Sequence, residues 1–280
     1  MYTYRRLHNE SGKLGHSNKS TITKLNPVWD TIREEANTVL ANQREMSSLI
    51  YSSVLNHKNL ESVLSYRLAQ KLCTSDMSEA VLNEIFLKSY FSDGKLVEYA
   101  YFDVVAVKER DPACYRFLQP LLYFKGFIAL QAYRVGNYLN GIGHYDLGYF
   151  LQMRSSEVFG VDIHPSAKIG KGIMIDHAHS IVIGETAVVG DNVSMLHSVT
   201  LGGTGKDEGD RHPKIGNGVL LGAGSSVLGN ISIGRCSKVA SGSVVLSNVP
   251  DFKTVAGVPA KVVGDSGCDE PASAMDQNFI

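Results

Sequence analysis

A pattern with a period of six residues runs through residues 161–250 and restricts the fold more than any other feature of the chain. An amphipathic helix repeats its apolar stripe every three or four residues, so this period predicts a coil of short parallel strands, a parallel β-helix. Aliphatic residues point inward in such a coil, and about four to five coils follow if three hexapeptides form one turn. The inward positions are Ile163, Ile169, Ile175 and Ile181, then Ile183, Val189, Met195 and Leu201, then Ile215, Leu221, Val227, Ile233, Val239 and Val245.

The residues before the repeat predict a helical domain over residues 27–160. Apolar residues recur there at helical spacing, and Asn26-Pro27 has the residue types of an N-cap and a first helical position. A helix over 95–110 should end before Asp111-Pro112, because the residue before a proline avoids the helical conformation. The other expected elements are breakers at 56–59, 74–78 and 92–94 and helices at 121–138 and 144–159.

The composition argues against several classes of function. With 280 residues, 44% hydrophobic residues and a net charge of −1, the chain can form two domains and has no overall basic field for nucleic acid or an anionic membrane. No run approaches the roughly 18 apolar residues of a membrane-spanning helix. The four cysteines form no CxxC pair, so a reducing cytosol is expected, with neither a zinc site nor a disulfide framework. Residues 1–26 are expected to be a flexible arm, with an organelle transit peptide as the alternative.

The repeat carries a polar sequence, Asp176–His179, that a structural coil does not need. His177 follows inward Ile175 by two positions, and His197 follows inward Met195 by two. The two imidazoles should therefore lie roughly 5 Å apart, which is one strand spacing. Each residue taken singly also fits an ordinary surface turn.

A carboxylate is expected at the same corner of the coil. Asp162 precedes Ile163, which we expect one coil below Ile181, so Asp162 and His177 should bracket one corner. A carboxylate beside an imidazole fixes the ring tautomer and favours the imidazolium, as general-base catalysis requires. A zinc site is the alternative, although the spacing matches no standard zinc motif.

A glycine-rich segment at residues 201–214 interrupts the period and predicts an extruded loop. It contains Gly205-Lys206, but a phosphate-binding loop would need glycine at Thr200 and serine or threonine at Asp207. Arg211 and His212 in this loop could meet a carboxylate on a substrate. A solvated loop without function is the alternative.

Several motifs together resemble the serine O-acetyltransferase family, over about residues 27–264. The resemblance implies an α+β fold in which an all-helical oligomerisation domain, 27–160, precedes a left-handed parallel β-helix of hexapeptide repeats, 161–262, with an extruded loop 203–214 and a flexible tail 263–280. It also implies a homotrimer, two of which the helical domains join into a hexamer. The motifs are Asp162–Pro165, Asp176–Ala178, Ile183–Ala187, Val199–Lys206, Gly209–Ile215 and Ala256–Ala260, with Asp111-Pro112, Leu121–Phe127 and Gln131–Arg134 upstream.

The resemblance also implies a reaction and a set of site residues. Acetyl-CoA would donate its acetyl group to the hydroxyl of L-serine, giving O-acetyl-L-serine and CoA by direct attack on the thioester and without a metal. His177 resembles the general base and Asp162 its orienting partner. The groups that would hold serine are Asp111, Asp176, Arg211 and His212, with His197 lining the pocket, and the positions expected near acetyl-CoA are Gly203, Thr204, Ala223, Gly224 and Lys238.

The sequence departs from the family at His179-Ser180, where Thr-Gly is more usual, and at Ser225-Ser226. The resemblance further implies feedback inhibition by L-cysteine, while the cytoplasmic location is expected from the cysteines alone. The resemblance also implies that Phe279 and Ile280 insert into O-acetylserine sulfhydrylase, because an apolar anchor beside a free carboxylate suits such capture. Three alternatives stay open: an acetyltransferase for another hydroxyl acceptor such as a sugar, a zinc enzyme of the carbonic anhydrase type, and a non-catalytic scaffold.

Overall fold

The computed structural model describes residues 18–205 and 208–277, with side chains from residue 27 onward. The expectations for the first 17 residues of the arm, and for Phe279 and Ile280, therefore lie outside the described residues. Within them, no helix is both long and apolar enough to cross a membrane.

Eight α-helices precede the β-helix in the described part of the chain. Breakers predicted from the sequence become helix boundaries, and Asn59, Ser78 and Asp93 each cap the following helix by accepting a hydrogen bond from its first turn. The helices are α1 Asn18–Asn42, α2 Ser47–Ile50, α3 Leu60–Leu72, α4 Glu79–Ser92, α5 Gly94–Arg110, α6 Leu118–Leu122, α7 Lys125–Gly141 and α8 Tyr145–Phe159, with a 3₁₀ turn Arg44–Met46 before α2 and a π turn Tyr51–Leu55 after it.

Two helix predictions are wrong in their limits. Helix α1 begins at Asn18 and contains Pro27, because one missing N–H removes a single hydrogen bond and does not oblige a helix to start there. The helix predicted over 121–138 is two helices, α6 and α7. Polar side chains from distant segments fix α6 separately: Glu35 accepts from the backbone amide of Leu118 at its start, and Arg67 donates to the carbonyl of Leu122 at its end.

The hexapeptide repeat forms a parallel β-helix of five turns, which confirms the predicted fold. Each of the first four turns contributes one strand to each of three sheets, whereas the fifth contributes strands to two sheets and a single bridge residue, Val249, to the third. The inward aliphatic residues are buried. Sheet A contains β1 Val161–Ile163, β4 Ile181–Ile183, β7 Thr200–Gly202, β10 Ser226–Leu228 and β13 Val244–Val245. Sheet B contains β2 Lys168–Ile169, β5 Val188–Val189, β8 Lys214–Ile215 and β11 Ser232–Ile233. Sheet C contains β3 Met174–Ile175, β6 Ser194–Met195, β9 Leu220–Leu221, β12 Lys238–Val239, β14 Lys253–Gly257 and β15 Ala260–Asp265.

The register of the first two coils differs from the expectation. Ile163 lies opposite Ile183, and it is Val161 that lies opposite Ile181. Ile181 and Ile183 are both buried on β4, so the corner after β3 holds two residues more than the hexapeptide period allows. Asp162 is therefore opposite Val182, on the outer face of sheet A.

A buried ion pair ties the helical domain to the first coil. Asp103 of α5 accepts from the Nε and Nη2 atoms of Arg134 of α7, at 2.8 and 2.9 Å, and from the amide of Ile173 at 3.0 Å. Arg134 also donates to the carbonyl of Gly170. Both charged side chains are almost fully buried, so removing either would leave the other charge buried without its counter-ion.

The segment after the last coil is packed, unlike the flexible tail expected from residue 263. Strand β15 pairs antiparallel with β14, and a short helix, α9 Pro271–Ala274, then lies on the outer face of sheet C. The Ser194 hydroxyl donates to the carbonyl of Ala272, and Lys238 pairs with Asp276 at 3.3 Å. Backbone polar groups and a buried lysine thus hold the tail in place.

Candidate active site

The predicted site residues fall mainly on two corners at opposite ends of sheet A. The corner where sheet C turns into sheet A carries Asp176, His177, His197 and Gly224, and we call it the His177 corner. The next corner, where sheet A turns into sheet B, carries Glu185, Thr186, Arg211 and His212, and we call it the His212 corner. The corners differ in exposure and in how their side chains are held.

The His177 corner presents an open imidazole on a strained backbone. The His177 side chain is 67% exposed, and its Nε2 atom lies 3.6 Å from Oδ2 of Asp176. His177, Ala178 and Ser180 all have positive φ angles, of 58°, 50° and 54°, which L-residues other than glycine rarely adopt. Packing supports the strain, because Gly126 of α7 lies so close that a methyl group there would meet the carbonyl oxygen of Ile175 at 2.1 Å.

Residues from the next two coils continue the His177 corner as a column. The ring centroids of His177 and His197 are 5.7 Å apart, which confirms the spacing predicted for the two imidazoles. The carbonyl of His197 accepts from the amide of Gly224 at 2.9 Å, so Ala223 and Gly224 continue the column one coil further on. Ala223 is half-buried and Gly224 exposed, which leaves the backbone of this column accessible.

His179 departs from the family pattern, and it contacts the helical domain. Its Nδ1 atom accepts from Nζ of Lys125 at 3.0 Å, and the same ammonium donates to the carbonyl of Phe159 at 2.9 Å. Partial burial lowers the pKa of Lys125. The substitution therefore adds a tether between the strained corner and helix α7.

Asp111 lies at the C-terminal end of α5, which packs over the first coil. Its Oδ1 atom accepts from the amide of Ala113 at 2.8 Å. Cys114 follows in the same turn and packs against Met174 of β3, two residues before Asp176. Burial, and then the charge of Asp111, raise the pKa of the Cys114 thiol to about 11. The carboxylate of Asp111 is therefore on the side of the molecule that carries the His177 corner.

The His212 corner is a set of partly buried hydrogen bonds. Arg211 Nη2 donates to Oε2 of Glu185 at 2.7 Å, and this bond lowers the pKa of Glu185. Thr186 contacts both Arg211 and His212, and the His212 ring lies against Gly184. Burial, and then the charge of Arg211, lower the pKa of His212.

Asp162 does not pair with His177 within the described chain. Its Oδ1 atom accepts from Nε2 of Gln152, on α8, at 2.7 Å. It lies close enough to His164 to act on its charge, as do Glu185 and Arg211, while burial lowers the His164 pKa. Asp162 thus belongs electrostatically with the His212 corner, and the expectation that it brackets one corner with His177 is not met in a single chain.

The positions expected near acetyl-CoA are divided. Gly203 lies beside Arg211, and Ala223 and Gly224 lie in the column above His197. Lys238 was expected near acetyl-CoA, but its side chain is 3% exposed and pairs with Asp276. In the described residues, no group of three or more histidine, cysteine, aspartate and glutamate side chains has the geometry to hold a metal ion.

Sequence reasoning assigned no role to Glu185, Thr186 or His164. The first two sit in a motif that was noted only for its resemblance, and they lie one coil below Arg211 and His212. The sequence did carry a signal for Glu185 and Thr186. These two adjacent polar residues follow inward Ile183 and Gly184, where a structural coil needs no polar pair. His164 also packs edge-on against Tyr149, with ring centroids 5.8 Å apart.

Comparisons with known proteins agree with this geometry. The family described as "Serine acetyltransferase, N-terminal" matches residues 28–132, and "Bacterial transferase hexapeptide (six repeats)" matches residues 212–247. The serine acetyltransferase of Salmonella typhimurium is 50% identical over 256 residues, covering 91% of this chain and 94% of that protein.

Two solved structures share the fold over most of their length. A serine acetyltransferase in complex with cysteine is 47% identical, with a TM-score of 0.90, over 91% of this chain and 100% of that one. The serine acetyltransferase of Brucella abortus in complex with coenzyme A is 48% identical, with a TM-score of 0.85, over 86% of this chain and 97% of that one. With matches in both halves and 50% identity to a relative over nearly the whole chain, this protein belongs to the serine acetyltransferase family.

Proposed function

We propose that this chain transfers the acetyl group of acetyl-CoA to the hydroxyl of L-serine, giving O-acetyl-L-serine and CoA. One observation carries the proposal: an exposed imidazole with a carboxylate beside it at one corner, and a guanidinium with a buried imidazole at the next. The first set suits removal of a hydroxyl proton, and the second suits binding of a carboxylate. L-Serine presents both a hydroxyl and a carboxylate, and the relatives are named serine acetyltransferase.

In the proposed mechanism His177 takes the proton from the serine hydroxyl as that oxygen bonds to the thioester carbon. Asp162, supplied with the His212 corner by a second copy of the chain, orients His177, and Asp111 and Asp176 hold the serine ammonium. The carbon–sulfur bond of the tetrahedral intermediate then breaks, and the proton passes from His177 to the CoA sulfur. Acetyl-CoA would lie along the accessible backbone of Ala223 and Gly224 of one copy, with His197 lining the pocket, and beside Gly203 and Thr204 of the next copy.

The site is proposed to be completed by a second copy of the chain. The two corners lie at opposite ends of sheet A, and six residues of extended chain span up to about 20 Å, too far for one serine to touch both. Beyond Asp162, the outward residues of sheet A are uncharged and not fully buried, which suits association with another copy. They are Val182, Thr200, Ser226 and Val244. A homotrimer, joined to a second through the helical domains as a hexamer, would give each site one corner from each of two copies.

Coexpression of two inactive variants tests the shared site. His177→Ala and Arg211→Ala should each lack activity alone, yet random mixing should restore about one quarter of the sites, because some pairs of copies then present both intact corners. No recovery in mixed oligomers that are shown to contain both variants would place the site within one chain.

Release of CoA thiol from acetyl-CoA, with L-serine against a panel of sugars and other hydroxyl acceptors, tests the reaction itself. A serine-dependent rate in the parent that His177→Ala loses, with its fold intact, is the expected result. If another acceptor supported a rate and serine did not, the chain would still be an acetyltransferase, but serine would not be its substrate.

Three further features are proposed from family membership. L-Cysteine would inhibit at the serine site, and a cysteine complex of a structural relative supports this. Phe279 and Ile280 would insert into O-acetylserine sulfhydrylase, and the protein would act in the cytoplasm without nucleic acid or membrane. Competition of L-cysteine with L-serine tests the first feature. Loss of sulfhydrylase binding on deletion of Ile280 tests the second.

A further inference from the structure

Thr186 lies at the centre of four hydrogen bonds at the His212 corner. Its Oγ1 atom accepts from the backbone amides of Arg211, at 3.0 Å, and of His212, at 3.1 Å. The same oxygen lies 2.9 Å from Nδ1 of the His212 ring, and the backbone amide of Thr186 donates to that Nδ1 at 3.3 Å. One residue thus holds both the backbone and the ring of the loop residues above it.

These contacts fix where the protons are. A ring nitrogen that accepts a bond from a backbone N–H cannot itself carry a proton, so Nδ1 of His212 is bare. The two lone pairs of the Thr186 hydroxyl are taken by two amides, so its single proton has two acceptors within reach, Nδ1 of His212 and the carboxylate of Asp210. The proton of the neutral ring therefore sits on Nε2.

The Nε2 atom is left available as a donor. It forms no hydrogen bond within residues 27–205 and 208–277, and it faces Gly184, where an added methyl group would lie 1.9 Å away. His212 is 7% exposed, so its ring has little freedom to rotate away. Burial and the neighbouring guanidinium of Arg211 both lower the pKa of His212, in keeping with a neutral ring.

We propose that Thr186 is a positioning residue that holds His212 as a neutral imidazole with its Nε2–H available to the carboxylate of the acceptor. The proposal rests on the proposed function, since it takes serine as the molecule that His212 meets. With its proton already on Nε2, His212 is a hydrogen-bond donor beside Arg211 and not a second general base.

Asp210 is the competing acceptor for the Thr186 hydroxyl proton. Its carboxylate is already paired with Lys214 at 2.6 Å and with Asn230 at 3.4 Å, and the Lys214 bond is the main cause of its lowered pKa. Asp210→Asn should therefore keep the serine KM within about twofold of the parent. An effect equal to that of Thr186→Val would mean that the hydroxyl serves Asp210, and would overturn the proposal.

Nuclear magnetic resonance of the full-length protein with ¹⁵N-labelled histidine rings tests the proton assignment without using activity. The His212 signals, identified by their loss in His212→Gln, should show the Nε2–H tautomer in the parent. In Thr186→Val a mixture of tautomers is expected, because loss of the hydroxyl releases the amides of Arg211 and His212 and lets the ring leave its 3.3 Å contact with the Thr186 amide. Thr186→Ser should restore the single tautomer. An Nδ1–H ring or an imidazolium at neutral pH in the parent, or an unchanged tautomer in Thr186→Val, overturns the proposal.

Kinetics of the same variants test what the tautomer does. Thr186→Val should raise the serine KM about tenfold, the equivalent of one hydrogen bond, leave the acetyl-CoA KM unchanged, and be rescued by Thr186→Ser. The side-chain amide of Gln can occupy the position of Nε2, whereas that of Asn reaches only the position of Nδ1. His212→Gln should therefore keep more serine-dependent activity than His212→Asn. The reverse order would reject the role of Nε2–H. A parent that shows the Nε2–H tautomer but never acetylates serine would instead refute the proposed function.

Discussion

The two corners of sheet A hold their imidazoles in opposite ways. His177 is largely exposed, and its position is set by a backbone in which His177, Ala178 and Ser180 all have positive φ angles. His212 is buried and is placed by hydrogen bonds from Thr186 and by close contact with Gly184. A group that must gain and lose a proton needs access, whereas a group that only recognises a carboxylate works best when it is neutral and fixed. The comparison supports the proposal that the first corner carries the chemistry and the second recognises the substrate carboxylate.

The largest expected effect comes from removing the exposed imidazole. His177→Ala should lower serine-dependent turnover by about 10² to 10⁴, which is the usual contribution of a positioned general base. Its melting temperature should stay close to that of the parent, because the side chain is 67% exposed. His144→Ala is the matched control, since that imidazole is also exposed and forms no capping bond to helix α8. Equal rates in the two variants would assign the base to another residue.

Replacing the guanidinium at the other corner should affect binding more than turnover. Arg211→Lys loses the fork that joins Glu185 to a substrate carboxylate, and the serine KM should rise about ten- to a hundredfold. Arg235→Lys is the control, because Arg235 forms a similar pair with Asp251, at 2.9 Å, far along the β-helix. A fall in kcat with an unchanged serine KM would contradict the division between the corners.

The sequence predicts the interior of the β-helix well and its corners poorly. Every inward position accepts only an aliphatic side chain, so the period of six survives in the sequence and the column of buried residues follows from it. A corner accepts many residue types and lengths. The two-residue shift from Ile181 to Ile183 is visible in the sequence, but the sequence does not show which of these residues lies opposite Ile163, and the expected register was wrong by two positions.

Within the candidate site, contacts that involve a distant segment were the ones missed. The 5.7 Å spacing of His177 and His197 follows from the period alone and was predicted. The bond from Gln152 to Asp162 depends on how α8 packs, and the burial of Lys238 depends on a tail that returns across sheet C. Neither packing arrangement is encoded in a local pattern, so the sequence could name these residues but not their partners.

A methyl group added beneath His212 should disturb the recognition corner without touching the other. In Gly184→Ala the new carbon would lie 1.9 Å from Nε2 of a ring that Thr186 pins, so the ring must move. We expect a loss of about 1 to 3 kcal/mol in the free energy of unfolding and a higher serine KM, with the acetyl-CoA KM unchanged. Gly264→Ala, whose methyl would meet nothing within 4 Å, should match the parent in both assays. A normal serine KM for Gly184→Ala would show that His212 is not held in place.

The smallest expected effect concerns the strain at the His177 corner. Ser180 has a φ of 54°, a conformation that glycine adopts without a steric penalty, and the family more often has glycine here. Ser180→Gly should raise the free energy of unfolding by about 0.5 to 1 kcal/mol, because the relieved strain exceeds the greater entropy of glycine in the unfolded chain. Ser247→Gly, at an exposed position outside the positive-φ set, should lower it by a similar amount, as chemical denaturation of both variants would measure. If Ser180→Gly is destabilising, the corner is held by its side chains and not by a strained backbone, and the contrast with the His212 corner weakens accordingly.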